Sequence, residues 1–370
     1  MANITFYPLG NADCCLIKTD QGHRIVFDYA DKKNRDDKDD KRIALLEAFR
    51  EDIGWPKHKE VDVLAVTHGD DDHVNGISDC FYLESKKSSQ TTDHIKIKEL
   101  WVPAALLVEV GAEDHTKTIR QEARHRFREG KGIRVFSRPA ALREWCREQG
   151  IDFDSREHLI TDAGGLVPKW SLDEQGIEFF VHSPFAHRHD DGLDDRNGNC
   201  LIMQSVIRSG GRETKFLITA DSISENWDRI VDITRAHDND VRLEWDLLSV
   251  PHHCSYKSMA TEKGEKETVP TDQFKWMLDQ GKYAGMIVSS SNSIPTDTTL
   301  TQPPHPQAYK VYEKKAAELN GRIYVTMSYP TTLSPERLKI DIGAAGLIPP
   351  VKRSTSSIAA TVLAAAPRNG

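Results

Sequence analysis

The chain has 370 residues, 38% of them hydrophobic and 29% charged, with a formal net charge of -8. That length allows one large α/β or sandwich domain carrying added segments, and the composition is that of a globular protein with a substantial core. The negative balance excludes a generally basic, nucleic-acid-coating surface; it leaves room for a local basic track and suits a site that gathers carboxylates around metal.

No run approaches the roughly 18 apolar residues needed to span a bilayer. "MANITFYPLG" lacks the charged start and long apolar stretch of a secretory signal. The six cysteines, Cys14, Cys15, Cys80, Cys146, Cys200 and Cys254, form no CxxC pair and no regular framework. Reduced thiols in a cytoplasmic protein are the expectation.

In chain order, "ITFYPLG" and "CCLIKTDQGHRIVFDYA" read as strands, with the bend of the second at Thr19 to Gly22. The charged loop "DKKNRDDKDDKR" leads into a helical pattern, "IALLEAFREDI". "VDVLAVTH" reads as a buried strand by its β-branched content, and it delivers "GDDDHVNG" at its C-terminal end. Strand C-termini are where α/β folds usually place chemistry. The segment from about Tyr82 to Lys169 reads as a helical insertion able to carry substrate recognition or a partner surface. Strands resume in "IEFFVHSP", "CLIMQSVIRS", "TKFLITAD" and "WDLLSVPHH", and the last strand signals are "YAGMIVSSS" and "GRIYVTMSYP". Between those two lies the helix "PQAYKVYEKKAAELNG", with Gly321 as expected terminator. Residues 1–345 form the expected domain, and 346–370 an extended or mobile tail. A mixed α/β sandwich with helices on its outer faces is the favoured architecture.

His68, Asp70, Asp72 and His73 form H-x-D-x-D-H directly after a strand. Imidazole and carboxylate together suit zinc, manganese or iron; alternation turns Asp71 away from the others. Two further strands end on ligand-type residues: "FLITAD" on Asp221, and "LLSVPHH" on His252 and His253. A solvated acidic turn would not be matched by two more such strand ends.

At this point the sequence resembles the metallo-β-lactamase fold hydrolases, in particular the branch similar to the hydrolase domain of the DNA-uptake protein ComEC. The resemblance runs from about Ile4 to Met327. "LGNADCCLI" is similar to the family's GQGDAxLI, which places Asp13, and "RIVFDYA" ends on Asp28. "THGDDDHVNG" resembles H-x-D-x-D-H-x-x-G, and "NGNCLIM" resembles N-x-x-S-L-V-L, placing Asn199. "LITAD" resembles LLTGD, "SVPHHCSYKS" resembles KVPHHGSKTS, and "IVSSSN" and "PPHPQ" resemble the SxGxxN and HP segments, the latter placing His305. Ala220 and Cys254 stand where the family favours glycine, and the glutamine of GQGD is missing.

The resemblance implies an αββα sandwich and two divalent ions, Zn or Mn. The first would be held by His68 and Asp70, the second by Asp72, His73 and His253, with Asp221 bridging. A water between ions about 3.5–4 Å apart becomes hydroxide near neutral pH. This implies a phosphodiesterase, foremost a nuclease acting on DNA, with Asp70, Asp72, His252 and His305 contributing to catalysis. Hydrolysis of a cyclic nucleotide or choline phosphoester, and a partner-dependent defence or toxin-like subunit, are the alternatives. Without a membrane channel, DNA uptake itself does not carry over.

Several roles stay open. His252 and His253 are exchangeable as ligand; Asn199 either reaches the site or braces a ligand loop; His305 either touches phosphate or fixes a turn. Asp13 and Asp28 read as groups that orient ligands. His182 reads as structural, and His187 and His189 as part of a charged loop. Arg120, Arg124, Arg126, Arg128, Lys131 and Arg134 either track a nucleic-acid backbone or, interleaved with Glu122 and Glu129, form an ordinary solvated helix face.

Overall fold

A computed structural model of the chain describes residues 1–185 and 196–350. Two twisted sheets pack face to face with helices on both outer faces, which is the four-layer order expected. The first sheet takes β1 (Ala2–Phe6), β2 (Cys15–Lys18), β3 (Arg24–Phe27), β4 (Glu60–Ala65), β5 (Lys96–Pro103), β6 (Ile133–Phe136) and β7 (Ile160–Thr161). The second takes β8 (Ile177–Ser183), β9 (Ile202–Ser209), β10 (Arg212–Ile218), β11 (Trp245–Ser249), β12 (Gly281–Ser289) and β13 (Arg322–Val325). A small hairpin, β14 (Pro330–Thr331) with β15 (Ser334–Pro335), returns the chain to β16 (Leu338–Gly343) and β17 (Gly346–Ile348) at the far edge of the first sheet.

Alternation decides which layer each strand residue enters. From β3, Ile25 and Phe27 point between the sheets, where they meet Phe179 and Val181 of β8, while Val26 points to the outer helices. The outer face of the first sheet is covered by α1 (Leu45–Ile53), two short turns α2 (Asp71–Val74) and α3 (Ile77–Cys80), and α4 (Ala104–Val108), α5 (Asp114–Glu129) and α6 (Ala140–Glu148). The second sheet packs Leu217, Leu248 and Ile287 against α7 (Ser224–Ala236), α8 (Asp272–Asp279) and α9 (Pro306–Glu318). Trp101, fully buried between the sheets, meets Phe179 edge-on at 5.0 Å.

Strands β3 to β7 are mutually parallel, as are β10 to β13. Each sheet therefore presents a set of strand C-termini, and the loops leaving β3, β4, β10, β11 and β12 converge. Gly76 makes the left-handed turn (φ 75°) that lets the motif loop pass from α2 into α3.

Three expectations change. The helices expected in 82–169 are present, yet the same segment adds β5, β6 and β7 to the first sheet, so it is built into the sandwich. Helix α9 ends through Asn320, which takes the left-handed conformation (φ 52°); Gly321 is required by close approach instead, since a Cβ there would lie 1.9 Å from the Gly285 carbonyl oxygen. Gly346–Ile348, assigned to the tail, pairs with β16. Residues 351–370, and His187 and His189, lie outside the described residues. Among the described residues no helix is long and apolar enough to cross a membrane.

Candidate metal centre

The loop leaving β4 brings Thr67, His68, Asp70, Asp72 and His73 to the junction of the sheets. The loop leaving β10 brings Asp221, and the loop leaving β11 brings His252 and His253. Asp13 arrives from the β1–β2 connection, tied in place by its N–H donating to the Asp72 carbonyl at 2.9 Å. Among the described residues, Asp13, His73, Asp221 and His253 offer ligand atoms within 4.8 Å of one another. His73 Nε2 is 3.3 Å from Asp221 Oδ1, and His253 Nε2 is 3.6 Å from Asp221 Oδ2 and 3.3 Å from Asp72 Oδ2. Asp13 Oδ2 stands 3.8 Å from His73 Nε2.

These donors fit a divalent cation. Ligand atoms placed about 2.0–2.2 Å from a tetrahedral centre stand roughly 3.3–3.6 Å apart, which is the spacing at which His73 and His253 meet the two carboxylate oxygens of Asp221, with Asp13 slightly farther at 3.8 Å. His73 Nε2, His253 Nε2 and Asp221 Oδ1 are buried and have no hydrogen bond of acceptable geometry among the described residues. Each such orphan costs about 1–3 kcal/mol. Three converging on one point form a cost that a shared ion removes.

The residues behind the donors fix which nitrogen faces the centre. His73 Nδ1 lies 2.8 Å from Asp28 Oδ2, and His253 Nδ1 lies 2.7 Å from the Ser290 carbonyl, so each ring donates from Nδ1 and turns the Nε2 lone pair inward. Asp28 is itself pinned by the Thr67 N–H and Oγ1–H, both at 2.7 Å. With that hydroxyl proton committed, Thr67 Oγ1 accepts from His68 Nδ1 at 3.2 Å.

Charge follows the same division. Burial disfavours the imidazolium of His73, but Asp28 and Asp221 override it and hold its pKa well above the ordinary value. Burial likewise opposes a charged His253, and Asp221, Asp72 and Asp13 carry its pKa up to about 10. Asp72 resists its own burial through His253 and His73 and falls to about 2. The pocket is strongly cation-seeking before any ion enters.

Backbone strain collects here. Asp28, Ala220, His252, His253 and Cys254 all have φ between 48° and 67°. Non-glycine residues rarely adopt this conformation, and it persists where surrounding structure imposes it. The two departures from glycine noted in the sequence are thus held in the conformation glycine would take freely.

The expected residues separate as follows. His73, Asp221 and His253 meet, with Asp72 alongside. Asp13, expected to orient ligands, stands inside the group; Asp28 stands behind it. His252 is outside, its Nε2 3.8 Å from Asp221 Oδ2 on the partly open side. His68 and Asp70 form a flank, Nε2 to Oδ2 at 3.4 Å. Asp71 points away to Lys32 and Asn75. Asn199 is buried in the turn that the Leu201 N–H fastens to the Thr67 carbonyl at 2.9 Å. His305 is buried at the start of α9, its Nδ1 accepting from the Tyr256 N–H at 3.4 Å. His182 bonds the Arg242 carbonyl through Nε2 at 2.9 Å, and burial lowers its pKa to about 4, as suits a structural residue.

The basic stretch turns largely inward. Arg126 pairs with Glu122 in the interior, Arg134 is buried beside Glu99, and Arg120 and Arg124 donate to the carbonyls of Glu109 and Leu107. Sequence reasoning missed Thr67, Arg196 and Glu109. Thr67 adjoins the motif and Arg196 lies three residues before Asn199, but nothing local marks Glu109.

No protein-family model and no curated protein sequence matches the chain. Among solved structures it is similar to a protein assigned as a metal-dependent hydrolase from Parabacteroides distasonis, at 8% identity and TM-score 0.35 over 88% of this chain and 93% of that one. It is also similar to a class B3 di-zinc metallo-β-lactamase from an Alaskan soil metagenome, at 12% identity and TM-score 0.33 over 85% of this chain and 91% of that one. Similarities of this size carry no residue-by-residue correspondence.

Proposed function

We propose that the chain is a metal-dependent hydrolase of phosphodiesters, with nucleic acid, foremost DNA, as its substrate and the cytoplasm as its location. The observation that carries the hydrolytic reading is the group formed by the buried His73, Asp221 and His253 with the partly exposed Asp13, in which three donor atoms are orphaned. A divalent cation held there, Zn or Mn, supplies Lewis-acid chemistry: it makes a water nucleophile available near neutral pH and neutralises charge on a phosphoryl oxygen.

The chain's own residues do the rest. Asp28 and the Ser290 carbonyl keep the two histidines aimed. His252, one-fifth exposed at its side chain, is placed to take up or release a proton at Nε2 on the open side of the group. His305 lies within electrostatic reach of His252 and of the exposed Lys257; burial holds both imidazoles below their ordinary pKa, so the ammonium of Lys257 supplies the positive charge for an anionic substrate. Because the arginines of 120–134 are mostly engaged internally, substrate contact falls to this mouth instead of to α5.

The test is hydrolysis of single- and double-stranded DNA, RNA and bis(p-nitrophenyl) phosphate by purified protein with Mn²⁺ or Zn²⁺. Ion-dependent cleavage of DNA, absent in Asp221→Ala, is expected. Cleavage of the small ester alone would redirect the reading to a small phosphodiester, and four intact substrates would end it.

A further inference from the structure

The motif implied a first ion held by His68 and Asp70, but Asp70 already has a cation. Arg196 donates from Nη1 to Asp70 Oδ1 at 2.6 Å and to the Gly69 carbonyl at 3.3 Å. Its Nε donates to Glu109 Oε1 at 2.7 Å, and Nη2 donates to the same oxygen. A planar guanidinium fixed on acceptors from two separate loops is set in position before any ligand arrives.

What remains on that flank is meagre. On that flank the buried His68 Nε2, which like the donors of the main group has no hydrogen-bond partner among the described residues, faces Asp70 Oδ2 at 3.4 Å, and neither residue belongs to the group of four. A divalent ion on Asp70 would sit against a fixed monocation. The charge compensation that a carboxylate-rich centre draws from a second metal is supplied here by a side chain.

We propose that this centre is built for one tightly held divalent cation, in the group Asp13, His73, Asp221 and His253, and that Arg196 stands in for the second. Asp70 then anchors the guanidinium beside His68 instead of binding metal, and Glu109 holds the guanidinium from its other edge. The proposal rests on the buried group being a metal centre.

Chelator-stripped full-length protein is dialysed against graded Mn²⁺ or Zn²⁺, and bound metal is counted per chain by mass spectrometry, with affinities from calorimetry. Wild type should take up one ion in the tight phase. Arg196→Met keeps the aliphatic stem and removes the charge; it frees Asp70 and should bring a second ion with at least tenfold tighter binding than any second uptake by wild type. Asp70→Asn should still hold one ion, and it keeps the test decisive if the Arg196 variant does not fold. Two ions of similar affinity in wild type, a folded Arg196→Met that stays at one, or an Asp70→Asn that loses its ion would each overturn the proposal. No ion in wild type would overturn the metal-centre reading itself, and this proposal with it.

Discussion

One six-residue loop, His68 to His73, feeds two groups that obey opposite rules. On one side His73 joins Asp221 and His253, all 3% exposed or less. On the other Asp70 pairs with Arg196, each side chain 36% exposed. Buried donors have no water to turn to, so leaving them unpaired is costly and their arrangement is meaningful. Half-exposed charges pair cheaply and can exchange water for an arginine at little cost. Burial alone does not divide the two groups, since His68 Nε2 is buried and orphaned as well; what sets the flank apart is that its carboxylate already holds a guanidinium.

The comparison breaks most directly at the buried group. Asp221→Ala and His253→Ala should each lower metal affinity by more than about 100-fold, beyond the 10–100-fold typical of groups that only orient ligands. Hydrolysis should fall to background while far-UV circular dichroism stays unchanged. Retained affinity in Asp221→Ala would remove that residue from the centre.

A smaller effect is expected one layer back. Asp28→Asn replaces the acceptor at His73 Nδ1 with an amide that can present its NH₂ group instead, releasing the ring orientation. Metal affinity should drop about 10–100-fold by calorimetry. An unchanged titration would mean that His73 is held by packing alone.

On the flank the effects shrink again. Asp70→Asn should weaken tight metal binding by less than about tenfold, a factor worth about 1.4 kcal/mol. Asp71→Asn, whose wild-type side chain is 51% exposed and turned to Lys32, should alter neither metal affinity nor turnover and stay within about 0.5 kcal/mol in stability. An Asp71 variant as inactive as Asp221→Ala would overturn the ligand register.

The smallest change sharpens the contrast through the backbone. Ala220 lies under the buried side at φ 48°, whereas Asp70 on the flank has an ordinary φ of -75°. Ala220→Gly should relieve about 1–2 kcal/mol of left-handed strain, offset by about 0.4–1 kcal/mol of added freedom in the unfolded chain. A small rise in melting temperature of the metal-free protein is expected; a fall would show that the Cβ packs favourably enough to outweigh the strain.

Much of this was legible in the sequence because strands announce themselves by alternation and the ligand loops begin where strands end. The strand ends at Asp28, His68, Asp221 and His253 were readable in that way, and so was the outward turn of Asp71. The choice of His253 over His252 was not, because both residues adopt left-handed backbone that simple strand alternation does not describe. Asp13 looked like a brace, since its approach to His73 depends on a backbone bond to Asp72 that no local pattern encodes. Arg196 and Glu109 are 87 positions apart in sequence, and their pairing exists only once α4 and the turn before β9 are folded. The basic run of 120–134 could be read either as a nucleic-acid track or as a solvated helix face, because charge is visible in sequence while the carbonyls and carboxylates that absorb it are not.

The most direct measurement is anomalous diffraction at the zinc or manganese edge from crystals of the protein grown with that ion. A strong peak enclosed by Asp13, His73, Asp221 and His253 is the expected result. An empty buried group, with any bound ion lying elsewhere on the molecule, would contradict the account.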